Sequence, residues 1–175
     1  MFNRTIRLSP GIFINESGSL NKLPELLNEF ELQHPVIPTD PIVLKVIPKY
    51  LPADFLTQYP IKLFNGSCTF AEIQRLTDQL ADFDGIIAFG GGQLMDTAKV
   101  VSDRLGNVLI NIQTVPLNCA AFTTKSIVYS ETYEMIASVR EKSRLMSLFW
   151  NQSCCKMHRL STYVRELAIH WPSSV

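Results

Sequence analysis

Nowhere in the 175-residue chain do about 18 apolar residues run together, so nothing in it reads as a membrane-crossing helix. Arg4 and Arg7 near the start are not followed by a continuous apolar segment, which argues against a secretory leader. Neither sign of charge is in excess. Lys+Arg 16 balance Asp+Glu 16, which gives no reason to expect nucleic acid or an anionic membrane as a partner. The four cysteines, Cys68, Cys119, Cys154 and Cys155, form no C-x-x-C pair and have no zinc-ligating spacing, so they read as free thiols in a reducing compartment. These absences point to a cytoplasmic protein whose partner is a small molecule. What is present is 46% hydrophobic, enough for one core of ordinary size, and one domain is the default.

Taken in order, the chain alternates strand and helix patterns. A short extended piece, Thr5 to Leu8, precedes a turn-rich segment around Pro10, Gly11 and Asn15. Leu20, Leu23, Leu26, Leu27 and Phe30 recur at helical spacing, with Pro24 making the helix irregular or marking its start. Val36-Ile37 is a short strand between Pro35 and Pro38, and Asp40-Pro41 opens a helix with Ile42, Val43, Val46 and Ile47 on its apolar face. Ile61 to Phe64 is a strand. Thr69-Phe70-Ala71-Glu72 is a capping box for the helix that carries Ile73, Leu76, Leu80 and Phe83. A helix with Ala98, Val101 and Leu105 stops at Gly106, and Asn107 to Ile112 is another buried strand. Strands separated by helices predict a parallel sheet with helices packed on it, an α/β fold. Ser126 to Tyr129 and Met135 to Val139 then form a hairpin that packs on the main body, in which Tyr129 and Tyr133 read equally as packing aromatics or ligand contacts.

The most informative stretch is Gly90-Gly91-Gly92-Gln93-Leu94-Met95-Asp96-Thr97-Ala98-Lys99, which follows the apolar run Gly85 to Phe89. Glycines let the backbone approach a pyrophosphate, and the first turn of the following helix offers unpaired N–H groups and a partial positive charge. The spacing G-x-G-x-x-G is absent. By spacing alone, an anion-binding turn and a ligand-free turn stand equal.

Context changes that balance. Gly90-Gly91-Gly92 with Asp96-Thr97-Ala98-Lys99, then Thr114, then Cys119-Ala120-Ala121-Phe122 leading into Ser126-Ile127-Val128-Tyr129, resemble in order and spacing the glycerol-dehydrogenase-like, iron-containing alcohol dehydrogenase family over roughly residues 4–142. The resemblance implies a Rossmann-like NAD(P)-binding domain, of which the chain would hold about half the family length, followed in the family by a helical domain with a divalent metal site. It implies cofactor contacts at Gly90, Gly91, Gly92, Gln93, Leu94, Met95 and Asp96, at Thr114, Val115, Pro116 and Leu117, and at Thr123, Lys125 and Tyr129, with Asp40 a weaker candidate for the adenine ribose. The family's usual Pro-Thr is Gln113-Thr114 here, Pro116 and Leu117 replace small residues, and Asn118 stands where Thr is usual. Cys119 takes the place of a substrate-contacting Asp of the glycerol branch, so a branch acting on 2-hydroxycarboxylates is closer. As a residue in its own right, Cys119 reads as a small buried thiol before it reads as a wall of a substrate pocket.

After about Ser143 the resemblance stops, and residues 143–175 are expected to be irregular or disordered. Arg165 to Pro172 can be encoded so that reading from one base earlier gives Ala-Gly-Ile-Gly-Asp-Thr-Leu-Ala-Lys, similar to the segment that opens the family's metal-binding domain. The same shift turns Trp150 to His158 into a Leu-Glu-Pro run ending in Leu-Leu-Gln-(Asp/Asn)-Ala. A single-base deletion near the codons for Lys142 to Arg144 would explain both, and would make Cys154, Cys155, His158 and His170 accidental rather than metal ligands. The expected division is residues 1–142 as a dinucleotide-binding domain and 143–175 as an out-of-frame tail. The expected function is that of an inactive remnant retaining the cofactor half, with no catalytic residue or metal ligand of its own and a divalent metal only in an intact relative. The alternatives are an active NAD(P)-dependent 2-hydroxycarboxylate or polyol dehydrogenase if the frame is restored, and a non-enzymatic dinucleotide-binding module associating with itself or an intact homologue.

Overall fold

The computed structural model describes residues 11–16, 18–115, 119–121, 123–140 and 145–150. Their strands are β1 (Ile12–Asn15), β2 (Pro35–Thr39), β3 (Ile61–Leu63), β4 (Gly85–Gly90), β5 (Val108–Gln113), β6 (Lys125–Tyr129), β7 (Met135–Arg140) and β8 (Leu145–Trp150). Six of them form one parallel sheet in the order β1-β8-β5-β4-β2-β3, and β6 and β7 pair separately as an antiparallel hairpin. The helices are α1 (Leu23–Glu29), α2 (Pro41–Val46), α3 (Phe55–Gln58), α4 (Phe70–Leu80) and α5 (Gly92–Leu105).

Alternation along β4 shows how the layers form. Ile86 and Ala88 join the core made with Ile73, Leu76 and Leu80 of α4 and Leu94, Ala98 and Val101 of α5. Ile87 and Phe89 point the other way, into the core made with α1, Val43 of α2 and Phe55 of α3. A strand covered on both faces needs a continuous apolar run, which is what Gly85–Gly90 supplies. The chain is therefore an α/β domain with a Rossmann-like parallel sheet, flanking helices and a β-hairpin.

Local signals explain the element ends. Thr69 Oγ1 accepts from Glu72 N at 3.1 Å, as the capping box requires. The other half of that box does not close. Glu72 instead accepts from Asn65 N and Nδ2 (3.0 and 2.9 Å) and from Arg75 Nε and Nη2 (2.7 and 2.6 Å), while Thr69 N donates to Ser67 O. A guanidinium one turn along is the stronger partner for a carboxylate. At its far end α5 stops at Gly106, whose φ of 72° lies in the left-handed region.

Three expectations need correction. The segment around Gly11 and Asn15 contains a strand, because Ile12-Phe13-Ile14 is β-prone enough to pair with β8; Thr5 to Leu8 lies outside the described residues. The short strand at Val36-Ile37 extends over Pro35–Thr39 and lies inside the sheet between β4 and β3. It pairs with β4 at Pro35, Val36 and Thr39, and the register passes over Ile37 and Pro38, the latter with no N–H to donate. Finally, Leu145–Trp150, within the segment expected to be irregular, forms β8 between β5 and β1, an apolar run that suits a parallel strand. The hairpin packs on the body through Val128, with Ala137 and Val139 against it, while Met135 and Ile136 are exposed.

Candidate functional site

From β2 the chain runs outward through α2 and α3 to β3, whereas from β4 it runs through α5 to β5 on the opposite side. The neighbouring carboxyl ends of β2 and β4 thus form the topological switch point of the sheet, the crevice where open α/β sheets take ligands. Thr39 Oγ1 donates to Phe89 O at 2.9 Å across this point, and Thr114 N donates to Gly90 O at 3.0 Å, joining the end of β5 to it.

The glycine turn sits there. Gly91 is the N-cap of α5 in an ordinary extended conformation (φ −90°, ψ −173°) and supplies no side-chain cap. A Cβ built on Gly91 would meet nothing within 4 Å, so the space in front of the helix end is open. Gly90 has a different reason to be glycine: a Cβ there would lie 2.5 Å from Leu94 Cδ2 and 3.1 Å from Leu94 Cβ. One glycine keeps the crevice clear, and the other lets the helix settle on the strand.

Other residues singled out by the sequence divide by what their side chains do. Asp40, at the end of β2, caps α2, with Oδ1 accepting from Ile42 N and Val43 N at 2.9 Å each. Gln93 Oε1 accepts from Cys68 N at 2.8 Å, tying the β3–α4 loop to the glycine turn. Leu94 and Met95 are buried in the core, so only their backbone adjoins the turn, and Met95 N already donates to Gly91 O. Asp96 is buried as well. Its Oδ1 pairs with Lys99 Nζ at 2.8 Å and its Oδ2 accepts from Ile127 N at 3.1 Å. Burial pushes the Asp96 carboxyl above the ordinary range, and the Lys99 ammonium and the Ile127 N–H pull it part of the way back.

On the β5 side, Thr114 is buried and its Oγ1 has no hydrogen-bond partner among the described residues. Val115 is partly exposed, and Pro116 and Leu117 lie outside the described residues. Thr123 Oγ1 donates to Lys125 O at 3.0 Å; Lys125 as a residue is exposed; Tyr129 is half-buried against the α4–α5 core, and its N–H donates to Cys68 O at 2.8 Å. Cys119 is exposed rather than buried, because it lies in the turn outside the sheet where Thr123 N donates to Cys119 O. Cys154, Cys155, His158 and His170 lie outside the described residues.

Sequence reasoning missed three contributors. Thr39 had no motif to mark it. The Gln93–Cys68 link joins residues far apart in the chain. Lys99 was visible in Asp96-Thr97-Ala98-Lys99, but only its i,i+3 spacing from Asp96 hinted at an ion pair. Among the described residues no group of three or more His, Cys, Asp or Glu could hold a metal ion, and no helix is long and apolar enough to cross a membrane.

Fold and site together define a doubly wound α/β domain with an uncapped glycine turn at its switch point. The chain belongs to the iron-containing alcohol dehydrogenase family, whose model matches residues 10–148. It is 30% identical over 126 residues to hydroxycarboxylate dehydrogenase A of Escherichia coli (strain K12), covering 71% of this chain and 35% of that protein. Glycerol dehydrogenase from Schizosaccharomyces pombe shares the fold with a TM-score of 0.72 at 20% identity, over 86% of this chain and 39% of that one. Sulfoacetaldehyde reductase from Bifidobacterium kashiwanohense, solved in complex with NAD+, does so with a TM-score of 0.65 at 12% identity, over 83% and 46%. The matched part of the chain spans about a third of the length of the curated relatives.

Proposed function

We infer that the chain is the cofactor-binding half of an NAD(P)-dependent dehydrogenase of alcohols or polyols, and that by itself it binds a dinucleotide without turning over an alcohol. The observation that carries this is the open, uncapped end of α5 at Gly91, in the switch-point crevice. The N–H groups of Gly92, Gln93 and Leu94 would receive the pyrophosphate charge. The buried, unpartnered Thr114 hydroxyl supplies a donor at the β5 side, and Asp40 Oδ2 would face a ribose hydroxyl while Oδ1 keeps its cap. Thr123, Lys125 and Tyr129 complete the wall on that side, and Cys119 lies beyond them where substrate would approach. A bound nicotinamide supplies hydride transfer; these residues bind and orient it.

The described residues offer no donor set that fits the divalent metal the family resemblance implies. A cofactor half alone would neither position a substrate alcohol against the nicotinamide nor stabilise it as it loses its proton, and these two effects supply most of such a rate. The second reading, an active enzyme in a restored frame, is favoured by the hydroxycarboxylate dehydrogenase relative, and it points to a 2-hydroxycarboxylate.

Calorimetry of the full chain with NAD and NADP, followed by absorbance assays with divalent metal and a panel of small alcohols, polyols and 2-hydroxy acids, tests both. Binding without turnover is expected. Turnover overturns the claim of inactivity, and absence of binding to either dinucleotide overturns the cofactor reading. The nucleotide sequence downstream of the Val139 codon decides the frame.

A further inference from the structure

The helix that opens at the switch point begins without a capping side chain. Gly91 supplies none, and the N–H groups of Gly92, Gln93 and Leu94 precede the first intrahelical bond, from Met95 N to Gly91 O at 3.1 Å. A first turn left in this state frays unless something outside the helix holds it. Gln93 provides a hold. Its Oε1 accepts from Cys68 N at 2.8 Å, and its carbonyl accepts from Thr97 Oγ1 at 2.9 Å one turn further along α5.

The far end of this tether is fixed from several directions. Cys68 is buried in the core with Ile73 of α4, Leu94 of α5 and Val128 of β6, and its carbonyl accepts from Tyr129 N at 2.8 Å. Thr69, the next residue, caps α4. A single residue thus joins the first turn of α5 to the start of α4 and the end of β6. A buried N–H left without an acceptor is costly, so position 93 has to supply one.

Two side chains of this length offer a carbonyl or carboxylate oxygen there, and they differ in charge. A carboxylate in the first turn complements the helix dipole, and α1 and α4 carry Glu25 and Glu72 in theirs. α5 carries no acidic residue in its first turn. A glutamate at 93 would satisfy Cys68 N equally well, but it would repel an anion brought to the same N–H groups.

We propose that Gln93 is a positioning residue: as an uncharged acceptor it locks the first turn of α5 onto Cys68, and so holds the N–H groups of that turn in place for the pyrophosphate of a dinucleotide. The proposal rests on the dinucleotide reading given above. The side-chain oxygen of Gln93 is engaged by Cys68 and acts through the turn.

The test uses the full chain as wild type, Gln93→Glu and Gln93→Leu. Calorimetry with NAD and with inorganic pyrophosphate is run over a range of salt, beside amide exchange at Cys68 without ligand and urea midpoints. Gln93→Glu keeps the acceptor, so exchange at Cys68 is expected within about twofold of wild type, while both ligands bind about tenfold more weakly in low salt and recover as salt screens the added charge. Gln93→Leu removes the acceptor without adding charge. Exchange at Cys68 should quicken by about tenfold, and both ligands should weaken by about three- to tenfold, a factor that salt leaves unchanged. A side chain with only a structural task would lower the urea midpoint of Gln93→Leu and leave the affinity of the folded protein as in wild type; that result overturns the proposal, as does a Gln93→Glu protein that binds both ligands like wild type. Should Gln93→Leu fail to fold, the Gln93→Glu measurements decide alone. A wild type that binds neither ligand overturns the dinucleotide reading and this proposal with it, whereas wild-type binding with unaffected variants overturns the proposal only.

Discussion

The two glycines at the end of β4 should respond oppositely to the same added methyl group. In Gly90→Ala the new Cβ would lie 2.5 Å from Leu94 Cδ2, 3.1 Å from its Cβ and 3.3 Å from its Cγ, and Leu94 is buried under the first turn of α5. The Cδ2 atom can swing away, but the Cβ cannot without moving the helix. Overpacking of this kind costs about 1–3 kcal/mol. At about 2–4 °C per kcal/mol for a domain of this size, the midpoint should fall by several degrees. Gly91→Ala meets nothing within 4 Å and keeps an extended backbone that any residue adopts. Alanine is a poorer N-cap than glycine by roughly 0.5–1 kcal/mol, while the lost freedom of the unfolded chain returns about 0.4–1 kcal/mol, so the two offset and stability should hold within about 0.5 kcal/mol. The methyl group nevertheless occupies the space the pyrophosphate is read to fill, and NAD affinity should drop at least tenfold, about 1.4 kcal/mol. Urea denaturation gives the first quantity and calorimetry the second. A Gly91→Ala protein that is as stable as wild type and binds NAD equally well would refute the placement of the ligand.

Asp40→Asn keeps a good N-cap for α2, so stability should stay within about 0.5 kcal/mol, while loss of the carboxylate proposed to face the ribose should weaken NAD relative to NADP; a titration with both dinucleotides reads the ratio. The Asp96 carboxyl is held above its ordinary 3.8 by burial, so the folded state binds its proton more tightly than the unfolded chain. Its contribution to stability should therefore fall as pH rises from 3.8 through the raised value and be flat beyond, a slope present in wild type and absent in Asp96→Asn when denaturation midpoints are compared across pH. Deleting residues 143–175 removes β8, through which β1 reaches the sheet, so amide exchange across Ile12–Asn15 should accelerate and the protein should lose solubility; unchanged protection there would refute the sheet order.

Much of the sheet was legible because it depends on local rules. The apolar runs at Gly85–Gly90 and Val108–Gln113, the Thr69 cap and the Gly106 stop each declare themselves within a few residues. Pro35 and Pro38 misled, since a proline in a strand argues against a place inside a sheet, and only the neighbours show that Thr39 restores the link to Phe89 with its side chain. The Glu72 half of the capping box failed for a similar reason: Asn65 and Arg75 reach the carboxylate first. At the site, the sequence located the glycine turn but could not sort the residues after it. Gln93, Leu94, Met95 and Asp96 are consecutive, yet one holds a loop, two fill the core and one pairs with a buried lysine. The spacing of Asp96 and Lys99 hints at their pair, but Gln93 finds Cys68 25 positions away and Asp96 finds Ile127 31 positions away, which no pattern within the helix encodes.

The same distinction bears on where the family likeness ends. A strand set between two parallel neighbours asks little of its sequence beyond a continuous apolar stretch, and Leu145-Met146-Ser147-Leu148-Phe149-Trp150 meets that demand whatever reading frame produced it. A family match running to residue 148 and a strand running to Trp150 are thus compatible with a chain whose chemistry has already departed from its relatives. A metal site is the opposite case. It needs particular donor atoms at particular places, and no apolar run can stand in for a misplaced histidine. What the sheet itself sets at its switch point is local: the uncapped end of α5 at Gly91, the buried Thr114 hydroxyl at the end of β5 and Asp40 capping α2 at the end of β2.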